Sequence, residues 1–339
     1  MSTIVLAVTE DLLVLTGEDG RWDSRGSHSG VRPRCLASDP SRPERVWCGT
    51  EDGAILATDD GGAAWRVLQG PGGPRPITAI AVGYGETPPV YAGYDPSVLF
   101  RSDDGGASWR ELEAMVEVPS APTWSFPPRP DTNHVRCLLV DPHAHDTVYA
   151  CIEAGALLRS RDRGETWIDR VETGPYDTHT LLAHPRAAGR LYSAAGDGLG
   201  VPERGVQRSD DGGERWAPLG QGLDRHYGWG LAVDADDPDT LVVSMAPSPA
   251  SAHTSGPGGE SSVYRRNGSG WEEVREGLPE PAGTAAPALA AGLTSGVFYA
   301  GSNRGVYRSE DAGRTWRKLD VGDAEWLDSD RVTTLVATA

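Results

Sequence analysis

The stretch RSDDGGASW (101–109) decides the fold, because it recurs. Close copies stand at ATDDGGAAW (57–65), RSRDRGETW (159–167), RSDDGGERW (208–216) and RSEDAGRTW (308–316), and worn copies end at Trp22 (LTGEDGRW) and Trp271 (YRRNGSGW). The shared pattern is Ser/Thr-x-Asp-x-Gly-x-x-Trp, and the seven closing tryptophans are separated by 43, 44, 58, 49, 55 and 45 residues. A period near 45 is that of one four-stranded propeller blade. Each copy reads as a tight hairpin turn. The carboxylates of Asp60, Asp104, Asp162, Asp211 and Asp311 accept hydrogen bonds from turn N–H groups, the glycine two residues on takes positive φ, and the tryptophan covers the turn. An aspartate in the same place in blade after blade is structural, and the carboxylate spacing of a calcium loop is absent.

The rest of each repeat supplies three strands, A to C, before the turn and one, D, after it. Strand A is apolar and ends in Asp-Pro or His-Pro (RCLASDP 34–40, RCLLVDP 136–142, TLLAHP 180–185), and strand B follows a polar turn (RVWCGT 45–50, VYAGY 90–94, FYAGS 298–302). The N-terminus opens on a B-type strand (3–10), and the C-terminus ends on an A-type strand (332–339) with nothing after it. The expected fold is therefore all-β: a seven-bladed β-propeller in one domain, 1–339, in which 332–339 completes the blade begun by 1–25. Such closure removes the exposed edges of an open sheet.

These residues resemble the Asp-box, or BNR, repeat family, over essentially the whole chain. The family includes sialidases, xyloglucan-degrading glycoside hydrolases, sortilin-type receptors and the photosystem II assembly factors of oxygenic phototrophs. In architecture the chain is most similar to the single-propeller assembly-factor-like group and to glycosyl hydrolase BNR-like bacterial proteins. The Phe/Tyr-Arg-Ile-Pro motif of the sialidases is absent, and the chain has length for one propeller where xyloglucanase-like enzymes use a cleft between two. Fold analogy does not choose among these activities.

Composition excludes several classes. A net charge of −18, from 31 Lys+Arg against 49 Asp+Glu, argues against nucleic acid or an anionic membrane as partner. No apolar run has the length of a membrane helix, and residues 1–20 lack the basic region and cleavage site of a secretory signal, so the expected compartment is the cytoplasm. Cys35, Cys48, Cys137 and Cys151 read as reduced structural thiols, without metal or redox spacing. The glycines belong to turns, so no phosphate loop or flavin fingerprint stands out and no cofactor is expected.

Strand alternation sends the D-to-A and B-to-C connections to one face of the ring. That face carries the irregularities: the insertions 112–134, 195–205 and 246–262 and the tryptophans outside the repeat pattern, Trp124, Trp229 and Trp326. Variable loops on a constant scaffold are where function resides. Counting back five from the Asp or His before the proline puts Arg34, Arg136 and His179 at equivalent points of strand A, with Trp229 in the corresponding place. Glu10, Glu51, Asp95, Glu153 and Asn303 are equivalent at the end of strand B, with His134, Arg225, His226, Tyr227 and Arg331 nearby. The expected site is a funnel at the channel mouth that binds a polar or anionic small molecule or a sugar-like ligand, with hydrolase or lyase chemistry open to it. Glu51 and Glu153 would act as acid or base, and His179 and His226 as proton shuttles. Arg34, Arg136 and Arg331 would hold an anion beside His134, and Trp124, Tyr227 and Trp229 would stack on the ligand. Two alternatives stand beside this: a noncatalytic scaffold gripping a protein partner by its loops, and a metal-dependent lyase in which His134, His179 and His226 converge. No metal ligand is assigned. His143, His145 and His184 fall on the opposite face and are expected to be exposed.

Overall fold

The computed structural model describes residues 2–18, 21–28, 30–268, 270–321 and 331–338. Seven antiparallel sheets follow one another around a ring. The first to form along the chain contains Ser2–Val8, Leu12–Glu18 and Arg21–His28, and its innermost strand is the last of the chain, Val332–Ala337. The pairing runs antiparallel from Ile4 opposite Ala337 to Val8 opposite Val332 and closes the ring. Six sheets have four strands and one has three, Val135–Val140, Val148–Ile152 and Ala156–Ser160. There the fourth strand shrinks to a single bridge in which Arg159 and Ile168 exchange N–H···O bonds of 3.1 and 2.7 Å.

The recurring turn is built as its residue types require. The Asp oxygen accepts from the backbone N–H four residues on, at 3.0 Å for Asp60, 2.8 Å for Asp104 and 2.9 Å for Asp162, Asp211 and Asp311. The preceding Ser or Thr hydroxyl donates to that carboxylate and accepts from the glycine N–H at 2.8 to 3.1 Å. These donors stabilise the ionised form, and the hydrogen bonds from Ser108 hold the Asp104 carboxyl down at about 2. The glycine is obligatory twice over. Gly164 has φ +90°, and a Cβ there would lie 2.5 Å from Cδ1 of Leu112 in the preceding blade. The residue before it is also left-handed even when it is not glycine, as at Arg163 (φ 63°) and Ala312 (φ 61°). Its carbonyl receives an arginine from the previous blade: Arg101 reaches Arg163 at 2.8 Å, Arg159 reaches Gly212 at 2.6 Å and Arg265 reaches Ala312 at 2.6 Å. One local conformation thus also joins neighbouring blades.

Between blades the core is apolar. Trp47, Tyr91, Tyr149, Tyr192 and Tyr299 occupy one strand B position and are all buried. Cys35, Cys48 and Cys151 are buried too, and burial pushes the Cys35 thiol up to about 12, so it stays protonated. The seven innermost strands enclose a narrow axial channel of about 240 Å³, walled by residues such as Leu36, Ile80, Leu138 and Leu182.

His184 departs from expectation. It is buried, with Nε2 2.8 Å from the Asp234 carbonyl, and Nδ1 accepts from the Arg186 N–H at 3.1 Å. In other blades Asp39, Asp141 and Asp234 accept from the N–H two residues on, at 2.8 to 2.9 Å. The imidazole therefore replaces a turn-capping carboxylate. His143 and His145 are exposed, as expected.

Candidate functional site

A cavity of about 540 Å³ opens at the channel mouth on the face that carries the insertions. Its wall is built by an irregularity repeated around the ring. In strand A one extra residue stands outside the ladder at the funnel end: Arg34 between Pro33 and Cys35, Thr78 between Ile77 and Ala79, Arg136 between Val135 and Cys137, and His179 between Thr178 and Thr180. The same shift falls at Trp229–Gly230 and at Thr333. The remaining innermost strand starts pairing at Ala288 opposite Gly301, as Cys35 pairs with Gly49, so Pro287 takes the matching place. A β-bulge releases one side chain from the alternation and re-aims it. This is why counting back from the strand end finds equivalent residues.

The ends of strand B supply the carboxylates. Glu10, Glu51, Asp95 and Glu153 all line the funnel, whereas Asn303 ties down the loop before Ala288–Ala291 by bonds to Ala285 N (2.9 Å) and Gly283 O (3.0 Å). Arg34 pairs with Glu51 at 3.2 Å. Glu153 is buried and central, with His134 Nε2 at 2.8 Å, Arg136 Nε at 3.4 Å and His179 Nε2 at 3.9 Å. Burial opposes its charge, but the His134 hydrogen bond, Arg136 and His179 outweigh burial and hold its carboxyl down at about 2. Asp177, two residues before His179, is driven the other way: burial and the Glu153 charge raise it against the pull of His179. Two carboxyls with diverging affinities beside one imidazole can divide acid and base roles.

Trp229 is the centre of an adjoining cluster. Its ring centroid lies 4.6 Å from the Arg136 guanidinium, 6.0 Å from that of Arg331, 4.9 Å from His179 and 4.4 Å from His253. Behind it the Tyr227 hydroxyl stands 3.2 Å from Nε2 of both His179 and His253, and His179 Nδ1 is 2.6 Å from the Gly228 carbonyl. Among the described residues the funnel lining holds five arginines and four carboxylates, in a chain whose net charge is −18. The site is locally cationic where the molecule is not.

Of the expected residues, the structure brings Arg34, Glu51, His134, Arg136, Glu153, Trp229 and Arg331 to the funnel lining, with His179 and Tyr227 directly beneath. Two are placed elsewhere. Trp124 is buried in an apolar cluster with Met115, Val118 and Ile152, its Nε1 donating to Ser120 at 3.0 Å, so it fills core instead of facing a ligand. His226 lies outside the lining, on the turn before Tyr227–Val233, its carbonyl packed close over Gly198 and Gly205. The three-histidine convergence does not form. The donors that do meet are Glu153, Asp177 and His179, all within 4.8 Å of one another, a span that a divalent cation can bridge. Trp326 lies outside the described residues. His253, Asp177, Phe126 and Arg129 were not anticipated. Phe126 and Arg129 come from the 112–134 insertion, and His253 ends the short helix Pro249–His253 of the 246–262 insertion.

No protein-family model matches the chain, and no curated protein matches it in sequence. Solved structures do. The GH74 enzyme from Niastella koreensis superposes with TM-score 0.67 at 16% identity, over 93% of this chain and 52% of that one. The GH74 xyloglucanase from Xanthomonas campestris gives 0.70 at 15% identity, over 94% and 52%. YCF48 bound to D1 peptide gives 0.59 at 15% identity, over 88% and 82%. The chain thus spans about half the length of the GH74 enzymes it matches. None of the described helices is long and apolar enough to cross a membrane. At such identities the likeness concerns architecture alone, and in architecture the chain is a seven-bladed β-propeller similar to GH74 enzymes and to YCF48.

Proposed function

We propose that the funnel binds a polar or anionic small molecule, or a sugar-like ligand, against the face of Trp229. The observation that carries this reading is the bulge repeated around the ring, which turns Arg34, Arg136 and Trp229 out of their ladders toward one cavity of about 540 Å³, with His179 directly beneath it. A cavity of that size suits a ligand of one or two sugar rings. Hydrolase or lyase chemistry would draw on Glu153, held ionised, and on His179 with Asp177 behind it. The test is a thermal-shift and tryptophan-fluorescence panel of neutral sugars, acidic sugars and small anions on wild type, Trp229→Ala and Glu153→Ala, with circular dichroism as the fold control. Ligands that shift wild type should lose their effect in both variants. Equal responses in all three proteins would remove the funnel as the binding site.

A second reading, a scaffold that grips a protein segment, is favoured by the likeness to a peptide-bound YCF48 and by exposed apolar residues on the insertions: Val116 (47% exposed), Leu199 (51%) and Val201 (46%). Val116→Asp with Leu199→Asp should then abolish capture of a protein partner and leave small-molecule responses intact. The reverse outcome would favour the small-molecule reading.

A further inference from the structure

Arg331 stands apart from the other funnel arginines. Arg34 has Glu51, Arg129 has Asp95 and Arg136 has Glu153, whereas among the described residues neither Arg32 nor Arg331 has an ion-pair partner, and Arg32 is exposed while Arg331 lies against Trp229. Its contacts are the His253 carbonyl, which accepts from Nη1 at 3.2 Å, and the face of Trp229, and its Nε is buried without a hydrogen bond. Burial, and then the neighbouring positive charge of Arg136, disfavour its cation. A guanidinium placed there has an unmet need for an anion.

His253 adjoins it. A carbonyl only accepts, so His179 Nδ1 carries the hydrogen that goes to Gly228. The Tyr227 hydroxyl bridges Nε2 of His179 and Nε2 of His253, and a neutral His253 ring keeps one basic nitrogen. Among the described residues, the charged and titratable groups facing this imidazole are Arg331, His179, Arg136 and Glu153, besides the Tyr227 hydroxyl. Although the residue is exposed at the rim, its ring lies against Trp229 and Tyr227. That burial, followed by Arg331, His179 and Arg136, pushes it down to about 4, so it is neutral at pH 7.

We propose that Arg331, Arg136 and His253 form an anion site around Trp229, and that an oxyanion of the carboxylate or sulfate type binds there together with one proton taken up by His253. The anion cancels the positive field that keeps the imidazole neutral, and the proton gained makes both ring nitrogens donors. A carboxylate brings one negative charge with that proton, and sulfate brings two. This deepens the funnel reading and rests on it.

The experiment is isothermal titration calorimetry between pH 5 and pH 8 in buffers of different ionisation enthalpy. The probes are sulfate, whose charge is constant over that range, glucuronate for the carboxylate arm, and glucose as neutral control. Binding of either anion should take up close to one proton at low pH, and affinity should rise up to tenfold per pH unit as pH falls through the window in which only the bound form is protonated. His253→Gln, which removes the titrating group, should abolish proton uptake, flatten the pH profile and hold the affinity at pH 5 to that of wild type at pH 8. Arg331→Ala should weaken binding by about 10- to 100-fold. Anion binding without proton uptake, or uptake that survives in His253→Gln, overturns the coupling and leaves the funnel reading standing. Glucose binding in the absence of anion binding overturns the anion site, again sparing the funnel. No response to any of the three probes overturns the site proposed here, while the funnel itself is judged by its Trp229→Ala panel.

Discussion

Glu153→Gln offers a measurement whose size follows from the geometry. The side chain is 8% exposed as a residue, receives a 2.8 Å contact from His134 and a 3.4 Å contact from Arg136, and titrates at about 2 where an ordinary glutamate titrates at 4.5. Because the folded value is the lower one, the stabilisation is present above pH 4.5 and is lost as pH falls toward 2. At about 1.4 kcal/mol per tenfold change in proton affinity, the carboxylate contributes about 3 kcal/mol at pH 7, of which about 2 kcal/mol is gone at pH 3. The amide keeps the shape and cannot titrate. Urea unfolding of wild type and variant at pH 7, 5, 4 and 3 should therefore show a stability difference that is constant down to pH 5 and then narrows by about 2 kcal/mol. A difference that stays the same at pH 7 and pH 3 would refute the view that Glu153 is held ionised by its neighbours.

Gly164→Ala meets both a φ of +90° and Leu112 Cδ1 at 2.5 Å, and should lower stability by about 2–4 kcal/mol, read as a fall in Tm; an unchanged Tm would contradict the account of the turn. Trp124→Ala should cost about 3–5 kcal/mol of stability and leave sulfate binding unaltered, whereas Trp229→Ala should do the reverse, and calorimetry with thermal melts separates the two. Protein stripped with a chelator should respond to sulfate as untreated protein does; loss of the response, with restoration by a divalent cation, would assign the Glu153, Asp177 and His179 group to a metal.

The repeat made the architecture legible, because a period, a turn chemistry and an orphan strand at each end leave one way to close the ring. Much of the funnel was legible too, since strand A keeps a constant length back from its closing Asp39, Asp141, His184 or Asp234 and so keeps Arg34, Arg136, His179 and Trp229 in register. The bulge that makes this register useful leaves no mark in residue type. The insertions carry no period, so their side chains take positions that only packing decides: Trp124 turned into the core, and the five-residue helix Pro249–His253 carried His253 onto Trp229. His184 misled because an imidazole nitrogen does the work of a carboxylate oxygen in the turn that Asp39 and Asp141 cap elsewhere. Asp177 was missed because it lies one residue ahead of its strand, Thr178–His184, and gains its place only when Ala154 donates to it at 2.9 Å across the blade boundary.

A bulged residue contributes little to the pairing around it, so its identity can change while every ladder stays in step. The ring is therefore a rigid socket with six exchangeable pins, here Arg34, Thr78, Arg136, His179, Trp229 and Thr333. A change at any of the six alters what the channel mouth presents without disturbing the sheets, so the variable text of this chain is read around an axis instead of along a strand.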